Sequence, residues 1–207
     1  MKLAIIANPE AGKGHATKNS LALRDHLEKK GAEVVVHETS CRGDGEEMAI
    51  MATKDGATSI VACGGDGTVQ EVINGIKAGT SKGNEPTLAI LPAGRCNNFW
   101  KELGAPSDPA IIAISLTERR SKRVDLGKVG DRYFATVAAL GFDSAVAEFV
   151  DDGRSPKFLR GTASYLYGLI ATLPNFRFPV VQMTGDTSSF KGPVLLMAVG
   201  NTASYGG

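Results

Sequence analysis

Short β-branched runs alternate with longer stretches of helical period through the first half of the chain. Residues 3–7, Leu-Ala-Ile-Ile-Ala, make an unbroken apolar run of the length of a buried strand. A turn-rich segment follows, Asn8-Pro9-Glu10-Ala11-Gly12-Lys13-Gly14. Residues 15–30 read as an amphipathic helix with Leu21, Leu23 and Leu27 on its apolar side, Lys29 and Lys30 near its end and Gly31 as its stop. A strand at 33–36 and a helix at 44–54, its apolar side formed by Met48, Ile50 and Met51, repeat the unit. A third strand, 59–63, precedes a helix in which Val69, Val72, Ile73 and Ile76 recur at helical spacing. A polar loop covers 77–85 and a fourth strand 87–91. Successive strand–helix units predict a parallel sheet with right-handed crossovers, and such sheets bind ligands at the carboxyl ends of their strands.

The pattern then changes. Asp108-Pro109 opens a helix whose predicted buried residues are Ile111, Ile112, Ile114 and Leu116. Arg119-Arg120-Ser121-Lys122-Arg123 is a basic run, either a membrane-facing patch or a solvated connector, with the connector preferred. From Val124 the chain reads as a β-hairpin, 124–129 and 132–140, turning at Gly130-Asp131. A helix at 157–173, carrying Phe158, Leu159, Tyr165, Leu166, Leu169 and Ile170, ends at Pro174, and strands follow near 177–184 and 193–199. Asp143 reads as a site residue or a helix N-cap, with the cap preferred.

Composition narrows the class. The 43% hydrophobic content over 207 residues is enough for a real core, and the net charge of +1 points to neither nucleic acid nor anionic membrane. Cys41, Cys63 and Cys96 form no zinc or disulfide pattern, which favours a reducing, cytoplasmic setting. The opening apolar run is too short for a secretory signal, and no stretch is long and apolar enough to span a membrane.

The candidate chemistry lies in the turn after the third strand, Gly64-Gly65-Asp66-Gly67-Thr68. Glycines let backbone amides approach a phosphate closely, and the helix N-terminus adds positive dipole. Asp66 would repel a bare phosphate and makes more sense beside magnesium or a substrate hydroxyl. The plainer alternative is a strand-to-helix turn with Asp66 or Thr68 as its cap. The loop at 8–14 is a second candidate phosphate cradle or an ordinary turn. It lacks the Gly-Lys-Ser/Thr spacing of a Walker A loop.

Gly64-Gly65-Asp66-Gly67-Thr68 followed by Glu71-Val72-Ile73-Asn74-Gly75 resembles the catalytic domain of diacylglycerol kinases and bacterial multisubstrate lipid kinases, shared with sphingosine and ceramide kinases. The resemblance implies an α/β fold: a parallel-sheet nucleotide-binding domain (residues 1–122) followed by the first part of a β-rich lipid-substrate domain (residues 123–207). It implies that Asn8, Pro9 and Gly12 line the ATP site and that Thr39 approaches the nucleotide. Gly64, Gly65, Gly67, Thr68 and Glu71 would belong to the same nucleotide site, with Asp66 as catalytic residue and magnesium anchor. Pro92-Ala93-Gly94-Arg95-Cys96-Asn97-Asn98-Phe99 is similar to the family's Pro-x-Gly-Thr-x-Asn-Asp-Phe, with two departures. Arg95 replaces a threonine and offers a guanidinium to phosphate. Asn98 replaces an aspartate and lacks its charge. Asn97 is taken as nucleotide-binding, and Asn97 or Asn98 as the cap of the helix that follows.

The expected activity is ATP- and Mg-dependent phosphorylation of a lipid hydroxyl, by an enzyme that visits the membrane surface, binds no nucleic acid and leaves a homodimer open. The alternatives are a non-catalytic nucleotide-binding homologue and, further off, an NAD kinase-type enzyme. The chain ends at Gly200-Asn201-Thr202-Ala203-Ser204-Tyr205-Gly206-Gly207. Family members continue for about another half-domain, with an Asp-Gly-Glu motif whose glutamate is the proposed base. The expectation is therefore a fragment.

Overall fold

The computed structural model of the chain describes residues 1–81, 83, 85–156, 159 and 162–203. Contacts group them into one unit of residues 1–136 with 200–203, and a second of residues 137–199.

The first unit is built on four parallel strands: β1 (Lys2–Ala7), β2 (Glu33–Glu38), β3 (Ser59–Gly64) and β4 (Thr87–Pro92), in the order β2-β1-β3-β4. In-register pairs such as Ile5↔Val61 and Val61↔Ala89 hold the sheet. Side chains alternate across it, as the two-residue repeat of a strand demands. Leu3, Ile5, Val61, Cys63 and Leu91 face α1 (His15–Glu28) and α5 (Pro109–Thr117). Ala4, Ile6, Ile60, Ala62 and Ile90 face α2 (Asp44–Lys54), α3 (Asp66–Gly79) and α4 (Asn98–Leu103). Asp108 caps α5, its Oδ1 accepting the N–H groups of Ala110 (2.8 Å) and Ile111 (3.2 Å). The hairpin of β5 (Gly127–Val129) and β6 (Arg132–Phe134) belongs to this unit. It is clamped by α3: Asn74 donates to the Tyr133 carbonyl (3.0 Å) and accepts the Tyr133 N–H (2.9 Å).

Some apolar faces differ from the sequence reading. In α2 the buried positions are Gly45, Ala49, Ala52 and Thr53, while Met51 is 59% exposed. The cause is the close crossing with α3. A Cβ on Gly75 would lie 2.6 Å from the Ala49 Cβ, which leaves room only for small residues. In α5 the buried set is Ile112, Ala113 and Leu116, with Ile111 and Ile114 outward, and Leu21 of α1 is also exposed.

The second unit contains β7 (Val137–Gly141), α6 (Phe142–Asp151), α7 (Thr162–Thr172), a short 3-10 turn Leu173–Asn175, and β8 (Val180–Thr184), β9 (Ser189–Pro193) and β10 (Leu196–Gly200). β8 pairs antiparallel with β9, and β7 lies beside β10. The strand at 132–140 expected from sequence is thus two, β6 and β7, in different sheets. Asp143 lies inside the first turn of α6 and is not its N-cap, which is Gly141; its carboxylate accepts the Tyr165 hydroxyl. The start of the predicted 157–173 helix, including Phe158, and the terminal Tyr205, Gly206 and Gly207 lie outside the described residues. Among the described residues no helix is long and apolar enough to cross a membrane.

Candidate functional site

The strand order puts β1 and β3 side by side, with their connections leaving to opposite faces of the sheet. That is the switch point at which doubly wound sheets hold ligands. Three loops meet at its carboxyl end. The loop after β1 is fastened to β3 by the Asn8 N–H donating to the Cys63 carbonyl (2.9 Å). Asn8 Oδ1 accepts the Glu10 N–H (3.0 Å) and turns the chain at Pro9. Gly12 has φ +63°, and a Cβ there would lie 2.7 Å from the Ala93 carbonyl oxygen, so this loop rests on the loop after β4. The Gly64 carbonyl accepts the N–H groups of Ala93 (2.9 Å) and Gly94 (3.2 Å). A Cβ on Gly94 would lie 2.8 Å from Asn97 Oδ1 and nearer still to the Gly65 Cα, so these two glycine loops touch through bare backbone.

The structure therefore gathers Asn8, Pro9, Gly12, Gly64, Gly65, Asp66, Gly67, Asn97 and Arg95 at one crevice. Thr39 is beside them, its N–H donating to the Ala7 carbonyl (2.9 Å) at the end of β2. Gly67 and Arg95 are exposed there. Thr68 is buried under Gly64, which needs its missing side chain because a Cβ would lie 2.7 Å from the Thr68 Cβ.

The carboxylates of the motif do something the sequence did not disclose. Asp66 accepts the N–H groups of Asn98 on Oδ2 (3.1 Å) and Phe99 on Oδ1 (3.2 Å). It caps α4 from a different helix. Asn97 occupies the N-cap position of α4, as one of the two expected caps, but its side chain does not cap the helix: the residue has φ +50°, and its amide is turned back on Gly94, accepting its N–H (3.0 Å) and donating to its carbonyl (2.8 Å). Nor does Asp66 or Thr68 cap α3, whose N-cap is Gly65 with no side-chain acceptor. Glu71 reaches the other way. Its oxygens accept the N–H groups of Gly43 (3.0 Å) and Gly45 (3.1 Å) at the start of α2. Gly43, Gly45 and Gly94 are the site-shaping positions that sequence reasoning missed; glycines flanking Asp44 were the available signal.

Asp44 itself turns outward. The Ser40 hydroxyl and Cys41 thiol, with the amides of both residues, hold its carboxyl well below the usual range. Burial pushes the Cys63 thiol up to about 12, so Cys63 is an inert part of the core. Among the described residues no three His, Cys, Asp or Glu side chains gather into a metal site. Magnesium is commonly held by one or two carboxylates plus substrate phosphates, and Asp66 suits that role, because each of its oxygens keeps a lone pair beyond the amide it accepts. In the basic run, Arg120 pairs with Glu118 (2.5 Å) and Lys122 donates to the Leu103 carbonyl (3.1 Å).

A doubly wound sheet with glycine loops at its switch point defines a ligand position common to such sheets, and the comparisons with known proteins narrow the class. The family described as diacylglycerol kinase catalytic domain matches residues 2–129, so the chain belongs to that family. It is 32% identical over 205 residues to a diacylglycerol kinase of Bacillus subtilis (strain 168), covering 98% of this chain and 66% of that protein. It is also 32% identical over 203 residues to a diacylglycerol kinase of Staphylococcus saprophyticus, covering 98% and 65%. A crystal structure of a diacylglycerol kinase from Bacillus anthracis str. Sterne superposes with a TM-score of 0.68 at 28% identity, over 98% of this chain and 65% of that one. The chain thus spans about 65% of the length of the relatives it matches.

Proposed function

We propose that this chain carries the nucleotide-binding portion of a lipid kinase that moves a phosphoryl group from ATP to the hydroxyl of a diacylglycerol-like lipid. One observation carries the reading. Of the four helices that start beside the crevice, α2 and α4 have first-turn amides filled by carboxylates of α3, whereas α1 and α3, which follow the two candidate phosphate loops, show no side-chain acceptor at their N-caps among the described residues. The positive ends left for an anion are those of α1, after the loop at 8–14, and of α3, at Gly64-Gly65-Asp66-Gly67.

In this reading the α3 amides and the loop at Asn8, Pro9 and Gly12 hold the phosphates. Exposed Arg95 neutralises their charge, and Thr39 and Asn97 border the nucleotide. Magnesium, bound with the ATP phosphates and beside Asp66, would supply charge neutralisation at the transferring group. Catalysis of this kind is mainly positioning and electrostatics. The enzyme would meet its lipid transiently at a membrane surface. A second reading, a protein that binds nucleotide without turnover, draws on Asn98, an amide where the family pattern has a carboxylate.

The test is transfer from labelled ATP and magnesium into a mixed lipid extract, beside Asp66→Asn, with ATP binding measured on the same samples. Labelled lipid from the parent but not the variant is the expected result. ATP binding without lipid product favours the second reading. A folded chain that binds no ATP refutes both.

A further inference from the structure

We propose that Glu71 is a positioning residue that fixes the Thr39–Gly43 loop against the glycine loop, so that its carboxylate sets nucleotide affinity without touching the nucleotide. The inference rests on the nucleotide site proposed above. Glu71 is one helical turn into α3, whose first residues are Asp66 and Gly67, and its two oxygens hold the Gly43 and Gly45 amides at 3.0 and 3.1 Å. The fit is made by absence of a side chain: a Cβ on Gly45 would lie 2.7 Å from Glu71 Oε2. The same loop is held at its other end by Asp44, which accepts the Ser40 N–H (2.6 Å) and the Cys41 N–H (3.0 Å). Thr39, directly before this pair, has its N–H on the Ala7 carbonyl (2.9 Å) at the crevice. A continuous set of hydrogen bonds therefore runs from α3 through Gly43 and Gly45 to the loop that ends in Thr39. Charge-assisted bonds to paired backbone amides are directional, so they fix a loop more tightly than apolar packing would.

The experiment is ATP titration of the chain by calorimetry, with urea denaturation run on every variant. Glu71→Gln keeps the volume but offers one acceptor for two donors. It is expected to weaken ATP binding by about 5–150-fold, the usual range for coupling between linked groups, while the protein stays fully folded at the titration temperature. Gly45→Ala pushes the same carboxylate away and should give a similar loss. Combined with Glu71→Gln it should add little, because both break one linkage. The deciding variant is Thr39→Val. If the loop acts through Thr39, the effect of Glu71→Gln shrinks to less than about threefold in that background, well short of the coupling range above. A merely structural Glu71 would lower the urea midpoint and leave the affinity of the folded protein unchanged, which overturns the proposal. A full Glu71→Gln effect that persists in Thr39→Val overturns it too, since the carboxylate would then act by another route. Wild-type protein that binds no ATP overturns the underlying nucleotide site, whereas wild-type binding with silent Glu71 variants overturns only this inference.

Discussion

Gly75 and Gly67 stand two turns apart on the same helix, and an alanine at each should do opposite things. By helix propensity alone, Gly75→Ala in the interior of α3 would gain about 1 kcal/mol. The structure predicts a loss. The new Cβ would lie 2.6 Å from the Ala49 Cβ and closer still to the Glu46 carbonyl oxygen. Carbon atoms normally touch at about 3.5–4.0 Å, so α2 and α3 must part by roughly 1 Å. The obstacle includes backbone, which cannot rotate aside. Overpacking of this kind costs about 1–3 kcal/mol. Parting the helices also stretches the 3.0 and 3.1 Å bonds from the Gly43 and Gly45 amides to Glu71. The net expectation is a destabilisation of about 2 kcal/mol. Urea denaturation followed by the fluorescence of Trp100, the single tryptophan, reads it directly. Gly67→Ala is the counterpart. Nothing lies within 4 Å of its Cβ, so stability should hold or rise by a few tenths of a kcal/mol. On the proposed nucleotide site the methyl group would instead stand where a phosphate would approach, and ATP affinity should fall at least about tenfold, the equivalent of 1.4 kcal/mol. A Gly75→Ala protein as stable as its parent would refute the close helix crossing.

Other expectations follow from single contacts. Asp66→Ala removes the acceptor for the Asn98 and Phe99 amides and should cost about 1–2 kcal/mol in urea, with Asp66→Asn costing less; unchanged stability would contradict the cap. Asn74→Ala removes the acceptor of the half-buried Tyr133 N–H and one of the two donors to its carbonyl, which keeps Gln70, and should cost about 1–2 kcal/mol, together with faster proteolysis of the β5–β6 hairpin. Arg119 holds φ +55° just past the end of α5, so Arg119→Gly should stabilise by about 0.5–1 kcal/mol in the same assay. Cys63 titrates at 9.0 when unperturbed and near 12 in the fold, so its contribution is intact below pH 9 and declines as pH rises toward 12. Cys63→Ala should flatten the alkaline side of the stability profile, and alkylation of Cys63 should track global unfolding.

The parallel sheet was legible because its strands are short apolar runs and its helices begin and end on glycine, proline and acidic residues. Buried faces were less legible. Met51, Ile111 and Leu21 are apolar and exposed, while Ala49 and Gly45 are small and buried. Large apolar residues scattered on a surface are ordinary, and a close crossing selects for small ones, so residue type alone points the wrong way. β9 escaped notice because Ser189-Phe190-Lys191-Gly192-Pro193 has poor strand propensity and owes its conformation to pairing with β8. At the site, the glycine loops could be read from their position after strands. The partners of Asp66 and Glu71 could not, since the amides they hold lie 32 and 28 positions away along the chain.

Those long-range partners explain how acidic residues could sit in a loop proposed to hold phosphate. A free carboxylate on the first turn of α3 would oppose an incoming anion through the same field that the helix dipole creates. Here each carboxylate leans on the positive end of a neighbouring helix, Asp66 on α4 and Glu71 on α2. Their charge is balanced locally by amides, and the field at the α3 amides is less reduced than a count of charges suggests. The continuation Glu71-Val72-Ile73-Asn74-Gly75 is then accounted for residue by residue: a cap on α2, two core side chains, a clamp on the β5–β6 hairpin and a contact that lets α2 approach. One helix thus places the starts of α2 and α4, and with them two of the loops beside the crevice, relative to its own N-terminus. Small displacements of α3 should therefore perturb nucleotide binding more than equal displacements of α1 or α5.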